Sequence, residues 1–91
     1  MLETINLSNN KLTSLKKLES LPNLREINAS NNLINQINAE LRDMYCLDTL
    51  YLFGNPIVNT QPALAKIENN QAQLYKTLDA YLSGGSVSSP V

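Results

Sequence analysis

The side chains that most often carry catalysis are scarce in this chain. It has no histidine, a single cysteine at Cys46, and eight acidic residues against seven basic ones. Without histidine, a serine or cysteine triad lacks its usual base, and zinc lacks its commonest ligand. The acidic residues are scattered, and Glu40 and Asp43, three residues apart, are better explained as a solvated face than as paired catalytic carboxylates. We therefore predict that the chain is not an enzyme and holds no cofactor and no metal.

The charge balance also bears on the class of partner. A net charge of −1 provides no basic surface for nucleic acid or for anionic lipid. No apolar run approaches the roughly 20 residues that cross a bilayer, and no secretory leader opens the sequence. A lone cysteine cannot form an internal disulfide. We expect a protein partner, no nucleic acid, no membrane, and a cytoplasmic location.

Leucine and asparagine, at 16 and 13 residues, make up 29 of the 91 positions, and most of them belong to a repeat. A pattern of eleven places occurs at residues 2–12, 24–34 and 47–57, with offsets of 22 and 23 residues. Apolar residues hold places one, four, six and eleven, and asparagine holds place nine, at Asn10, Asn32 and Asn55. This pattern resembles the leucine-rich repeat family.

The resemblance implies an α/β fold, a leucine-rich repeat solenoid with short parallel strands on its concave face and 3-10 or helical segments on its convex face. Three repeats, 2–23, 24–46 and 47–61, form a domain over residues 1–61. The leucines at every third position of the first coil resemble the repeat class of phosphatase regulatory subunits. The spacing in the second coil is closer to that of intracellular Ras-pathway scaffolds.

The alternation within each repeat predicts which side chains are buried. Places four and six face inward, and places three, five and seven face outward, because successive side chains of a strand point to opposite sides. The asparagine at place nine follows the strand, where turning amide groups need hydrogen-bond partners. We interpret this asparagine as structural.

Residues 62–82 are predicted to form a capping helix, with Thr60 as its N-cap and Pro62 in its first turn. Their apolar spacing fits one helix of about 20 residues or two pieces broken near Asn69 and Asn70. Such a helix would cover the open end of the last coil. The stretch from Gly54 to Leu82 resembles the C-terminal part of scaffold-type leucine-rich repeat proteins. Residues 83–91 are expected to be a flexible tail.

The other end of the array has no predicted cap, because the first repeat begins at Leu2. Ile5, Leu7 and Leu12 would then be open to water beside an unpaired strand edge. Two interpretations follow: the chain is a fragment of a longer array, or it self-associates through its uncapped N-terminal end.

Two aromatic residues stand out among the outward places. Tyr51 and Phe53 lie two residues apart on the third strand, hence on one face. Exposed aromatic residues often dominate binding energy at interfaces. We predict that they anchor a partner on the concave sheet, with polar contacts from Glu26, Asn28 and Thr49. The alternative is that the two rings simply pack on each other.

The predicted function is a non-catalytic protein–protein interaction module. One alternative is a regulatory or scaffold domain of a larger signalling protein that carries a GTPase, kinase or phosphatase activity elsewhere. Another is an extracellular ligand-binding receptor.

Overall fold

The computed structural model describes residues 3–21, 23–37, 41 and 43–82. This part of the chain forms one sheet of four strands in the order β1, β2, β3, β4. The strands are β1 (Thr4–Asn6), β2 (Glu26–Asn28), β3 (Thr49–Tyr51) and β4 (Lys66–Ile67). β1, β2 and β3 are parallel, and β4 is antiparallel to β3. The predicted tail, residues 83–91, lies outside the described residues.

The register of the three parallel strands is the one that the repeats predict. Thr4 pairs with Glu26, which pairs with Thr49, and Asn6, Asn28 and Tyr51 align in the same way. Equivalent places of successive repeats are therefore neighbours in the sheet, so the assigned register is confirmed.

Short helical segments connect the strands. A 3-10 helix, Lys16–Ser20, follows β1, as the spacing of leucines in the first coil predicts. After β3 come a single turn of helix α1 (Ile57–Thr60) and a 3-10 helix (Pro62–Ala65). Helix α2 (Gln71–Leu82) follows β4.

The core lies on one side of the sheet. Ile27, Leu50 and Leu52 are fully buried there, as places four and six predict. Leu74 and Leu78 of α2 are also fully buried and belong to the same cluster. Helix α2 thus closes the core beyond the third coil, which agrees with the expected covering of that end.

The asparagines at place nine form a ladder between coils. Asn55 Nδ2 donates to the carbonyl oxygens of Ala29 and Leu52, and its Oδ1 accepts from the amides of Asn32 and Ile34. Asn32 repeats the arrangement one coil earlier: its Nδ2 donates to the carbonyl oxygens of Leu7 and Ala29, and its Oδ1 accepts from the Leu12 amide. The structural interpretation of these two residues is confirmed.

The structure corrects the prediction of a helix over residues 62–82. The helix begins at Gln71, and the preceding residues form a 3-10 turn and then β4. The reason is that β3 has a second edge to satisfy: the Leu52 and Phe53 amides both donate to the Ala65 carbonyl. Pairing this edge satisfies groups that a helix would leave unpaired.

The start of α2 differs from the prediction as well. Thr60 is the last residue of α1 and is not the N-cap of a longer helix. Asn69 adopts a left-handed conformation with φ of 50°, which breaks the chain direction before α2. Asn70 Oδ1 then accepts a hydrogen bond from the Gln73 amide at 3.1 Å, as an N-cap does. The break therefore falls at Asn69 and Asn70, but the piece before it is a short 3-10 helix followed by β4 and not an α-helix.

Candidate functional site

The outer face of the sheet is the side away from the core. Its central residues are Glu26 and Asn28 on β2, Tyr51 on β3 and Lys66 on β4, which pairs directly with Tyr51. Their neighbours along each strand, Ile27, Leu50 and Ile67, are buried. This alternation holds the four polar or aromatic side chains on one surface, because successive side chains point to opposite sides of a strand.

Tyr51 and Phe53 form an aromatic pair on the outer face. Their ring centroids are 6.4 Å apart and the ring planes meet at 69°, which is an edge-to-face arrangement. Phe53 remains 45% exposed, and Tyr51 is half-buried. The rings do pack on each other, yet nearly half of the Phe53 surface stays open to solvent.

The carboxylates of Glu68 and Glu26 influence the Tyr51 hydroxyl. Partial burial raises the pKa of Tyr51 above its ordinary value of 10.0, and the carboxylates of Glu68 and Glu26 raise it further. Tyr51 is therefore protonated at neutral pH, and its hydroxyl is a hydrogen-bond donor.

Lys66 partly balances this acidic surface. Its Nζ lies 3.6 Å from Oε1 of Glu68, and both side chains are more than half exposed. An exposed ion pair of this kind contributes little to stability, and its members are free to exchange partners. The site thus combines an apolar pair of rings with two carboxylates and one ammonium group.

Asn28 presents one half of its amide to the outer face. Its Oδ1 accepts hydrogen bonds from the amide and the hydroxyl of Ser30. Asn6 and Ser8 make the same contacts one coil earlier. These local bonds fix the Asn28 side chain and leave its Nδ2 as the group that can donate to a partner.

The structure corrects the prediction of Thr49 as an exposed contact residue. Although it occupies an outward place, it is only 2% exposed. Its hydroxyl accepts a hydrogen bond from the Asn69 amide and donates to Oδ1 of Asp48. The turn before α2 covers it, and the repeat pattern carries no information about that turn.

Sequence reasoning missed Lys66 and Glu68, which it assigned to a helix. A local signal does exist: Ala65, Lys66, Ile67 and Glu68 alternate between apolar and polar residues, as a half-buried strand does. Helical spacing through the neighbouring leucines masked this signal. The structure brings Tyr51, Phe53, Glu26 and Asn28 to one face and adds these two residues beside them.

The structure also contains a groove of about 420 Å³. It is lined by Glu3, Asn23, Arg25, Cys46, Asp48 and Gln71. Arg25 and Asp48 form an ion pair at 3.5 Å there, and Cys46 is a half-buried free thiol. Within the described ranges, no three acidic, cysteine or histidine side chains come together in a way that could hold a metal ion. Nor is any helix of those ranges long and apolar enough to cross a bilayer.

Comparison with known proteins identifies one family. Residues 1–43 match the family model described as leucine rich repeats, in two copies. No curated protein and no solved structure gives a significant match. The structure carries the same features one repeat further, since β3 continues the register and Asn55 continues the ladder.

Proposed function

Because the chain is a leucine-rich repeat protein over residues 1–43, we propose that it is a non-catalytic module that binds a protein partner on the outer face of its sheet. Leucine-rich repeats generally mediate protein–protein interaction. We further propose that the three coils are successive turns of a solenoid and that the outer face is its concave surface. The in-register parallel strands and the ladder of Asn32 and Asn55 support that arrangement.

The observation that carries this proposal is the exposed edge-to-face pair of Tyr51 and Phe53. Aromatic side chains bury a large area on binding and have few rotatable bonds to immobilise. The neighbouring strands present Asn6 and Asn28, which are small and polar, so the two rings are the projecting apolar feature of this face.

The surrounding charges indicate the chemistry of the partner. Glu26 and Glu68 lie beside Tyr51, with Lys66 as the nearby counter-charge. A partner that places an apolar side chain against Phe53 and a basic group near the two carboxylates would satisfy both features. Asn28 Nδ2 and the Tyr51 hydroxyl would supply the directional hydrogen bonds.

A scaffold role in signalling and a cytoplasmic location form part of this proposal. They rest on the resemblance to intracellular repeat classes and on the lone cysteine. Fractionation of cells that express the full-length protein tests the location directly.

The test compares two double variants of the 91-residue chain in affinity capture and in binding to the captured protein. Tyr51→Ala with Phe53→Ala removes the proposed anchors. The matched control, Leu33→Ala with Tyr45→Ala, removes two side chains that are 52% and 63% exposed and lie outside the strands. Thermal unfolding of both variants checks that the fold is intact.

We expect the outer-face variant to bind about 30-fold more weakly, equivalent to about 2 kcal/mol or more. The control should bind as the unaltered chain does. Equal affinity of the outer-face variant and the unaltered chain would place the binding surface elsewhere.

A further inference from the structure

One edge of β1 has no partner among the described residues. The backbone groups of alternate residues face β2: the Glu3 carbonyl accepts from the Arg25 amide, and the Leu7 amide donates to the Asn28 carbonyl. The backbone groups of Thr4 and Asn6 therefore face the opposite edge. This leaves two amides and two carbonyls in a row at the outside of the sheet.

Beneath this edge lies an apolar groove with a volume of about 480 Å³. Five leucines line it together with Lys11, Thr13 and Ser14. The leucines are Leu7, Leu12, Leu15, Leu18 and Leu21. Lys11 is exposed, so its flexible stem can keep the ammonium group in water while the leucines are covered.

The repeat places whose side chains are partly open in the first coil are fully buried in the third coil. Leu7 and Leu12 of the first coil are half-buried, whereas the equivalent Leu52 and Ile57 of the third coil are at most 1% exposed. Ile5 is half-buried, and its equivalent Leu50 is fully buried. The first coil therefore lacks the apolar neighbour that each inner layer has.

We propose that this end of the molecule binds a second copy of the chain through an antiparallel pairing of β1 with β1 around a two-fold axis. If Thr4 lies opposite Asn6 of the second copy, each such pair exchanges two backbone hydrogen bonds. The two pairs together use all four unpaired groups of each edge. Within Thr4–Asn6, registers that align Thr4 with Thr4, or Asn6 with Asn6, form one such pair instead of two.

This register also aligns the apolar layers. Ile5 falls on the axis, in a pair without mutual hydrogen bonds, where side chains approach each other most closely. The leucine grooves of both copies then lie on the same side of the extended sheet, so each covers the other. The strand residues at the contact, Thr4, Ile5 and Asn6, are uncharged, so the pairing buries no unpaired charge from them.

A two-fold contact of this kind closes at a dimer. Each copy uses its single β1 edge, and the sheet ends on the other side at β4, a strand of two residues followed by the turn at Asn69. A short strand of this kind offers little backbone for further pairing. The proposed surface is separate from the aromatic pair, so dimerisation and partner binding can be tested independently.

Sedimentation equilibrium of the 91-residue chain at micromolar concentration measures the assembly. We expect a species of twice the chain mass of 10.1 kDa. Thr4→Pro removes one edge amide from each copy, and we expect it to raise the dimer dissociation constant about tenfold or more. Thr4→Val keeps the amide and should leave the constant unchanged. A monomeric unaltered chain, or a proline variant that dimerises as well as the valine variant, overturns the proposal.

A cysteine cross-link tests the register without relying on the proline variant. In a Cys46→Ser background, Ile5→Cys places two thiols at the axis, where the Cα atoms of such a pair lie about 4.5 Å apart, within disulfide reach. The matched control is Leu33→Cys, at an exposed residue away from β1. Under mild oxidation we expect a covalent dimer from the first variant and monomer from the control. A dimeric chain whose Ile5→Cys variant fails to cross-link would mean that the contact uses another surface.

Discussion

The ladder asparagines connect neighbouring coils through single side chains. Asn55 makes four hydrogen bonds to backbone groups and is 5% exposed, so each of those groups depends on it. Asn10, at the same place of the first coil, is exposed, and its Nδ2 donates to carbonyls of its own coil. The asparagine at place nine therefore contributes more to stability in the third coil than in the first.

Replacing Asn55 with alanine should be strongly destabilising. It leaves buried amides and carbonyls unpaired, at about 1–3 kcal/mol for each group that finds no substitute. We expect a loss of about 3 kcal/mol or more in the free energy of unfolding, measured by urea denaturation.

Asn10→Ala is the matched control. Water can replace its hydrogen bonds, so we expect less than about 1 kcal/mol. Equal losses for the two variants would contradict the ladder as the source of the effect.

At the scale of the element, a left-handed residue follows each of the parallel strands β1, β2 and β3 in the turn after its last residue. Place eight of the three repeats holds Asn9, Asn31 and Gly54, with φ of 59°, 57° and 81°. Asparagine and glycine are the residue types that adopt this conformation most easily. The turn therefore has the same backbone shape in every coil, although its residue changes from asparagine to glycine.

Gly54→Ala should be destabilising for two separable reasons. The left-handed backbone costs an alanine about 1–2 kcal/mol, and a Cβ at this position would overlap Oδ1 of Asn31. Thermal and urea unfolding measure the total.

Two further variants separate the causes. Gly54→Asn keeps the overlap but relieves part of the backbone strain, and Gly54→Ala in an Asn31→Gly background removes the overlap. Gly54→Asn should be more stable than Gly54→Ala. In the Asn31→Gly background, Gly54→Ala should cost less free energy of unfolding than it does in the unaltered chain. If neither result is obtained, neither the backbone strain nor the overlap with Asn31 accounts for the effect of Gly54→Ala.

β4 shows how one element can redirect a whole segment. The pairing of Lys66 with Tyr51 and of Ile67 with Leu50 closes the edge of β3. The following turn buries Thr49, and α2 then covers the last coil. Two strand residues therefore decide both the position of the cap and the composition of the outer face.

At the scale of the whole molecule, the strand residues of the first coil are less buried than those of the second and third coils. Ile5 is half-buried, whereas Ile27 and Leu50 are fully buried at the same repeat place. A layer is stabilised to the extent that neighbouring layers cover it, as expected for a repeat array. The second and third coils, whose apolar layers are covered on both sides, are therefore more stabilised than the first.

Leu50→Ala tests how much a fully buried layer contributes to stability. Truncating a fully buried leucine should lower the free energy of unfolding by about 2–5 kcal/mol, a large share of the roughly 5–15 kcal/mol of a typical domain. Leu33→Ala, at a side chain that is 52% exposed, should change it by about 0.5 kcal/mol or less. An unchanged melting temperature for Leu50→Ala would contradict the assigned register.

The sequence by itself determined the repeated part of the structure. The places of Ile5, Ile27 and Leu50 specified the strand register, and Asn32 and Asn55 indicated the ladder. Tyr51 and Phe53 could be assigned to the outer face from alternation alone. These features follow from local periodicity, because three copies of one pattern of apolar and polar residues pack in the same way.

Only the tertiary structure decided the path of residues 62–70 and, through it, the full composition of the outer face. Spacing alone could not show that Lys66 would pair with Tyr51, that Glu68 would lie near its hydroxyl, or that Thr49 would be covered. A helix and a strand compete for this segment, and the outcome depends on the unpaired edge of β3, fifteen positions away in the chain from Lys66 to Tyr51. The hydrogen bonds gained at that edge are long-range, so no local pattern records them.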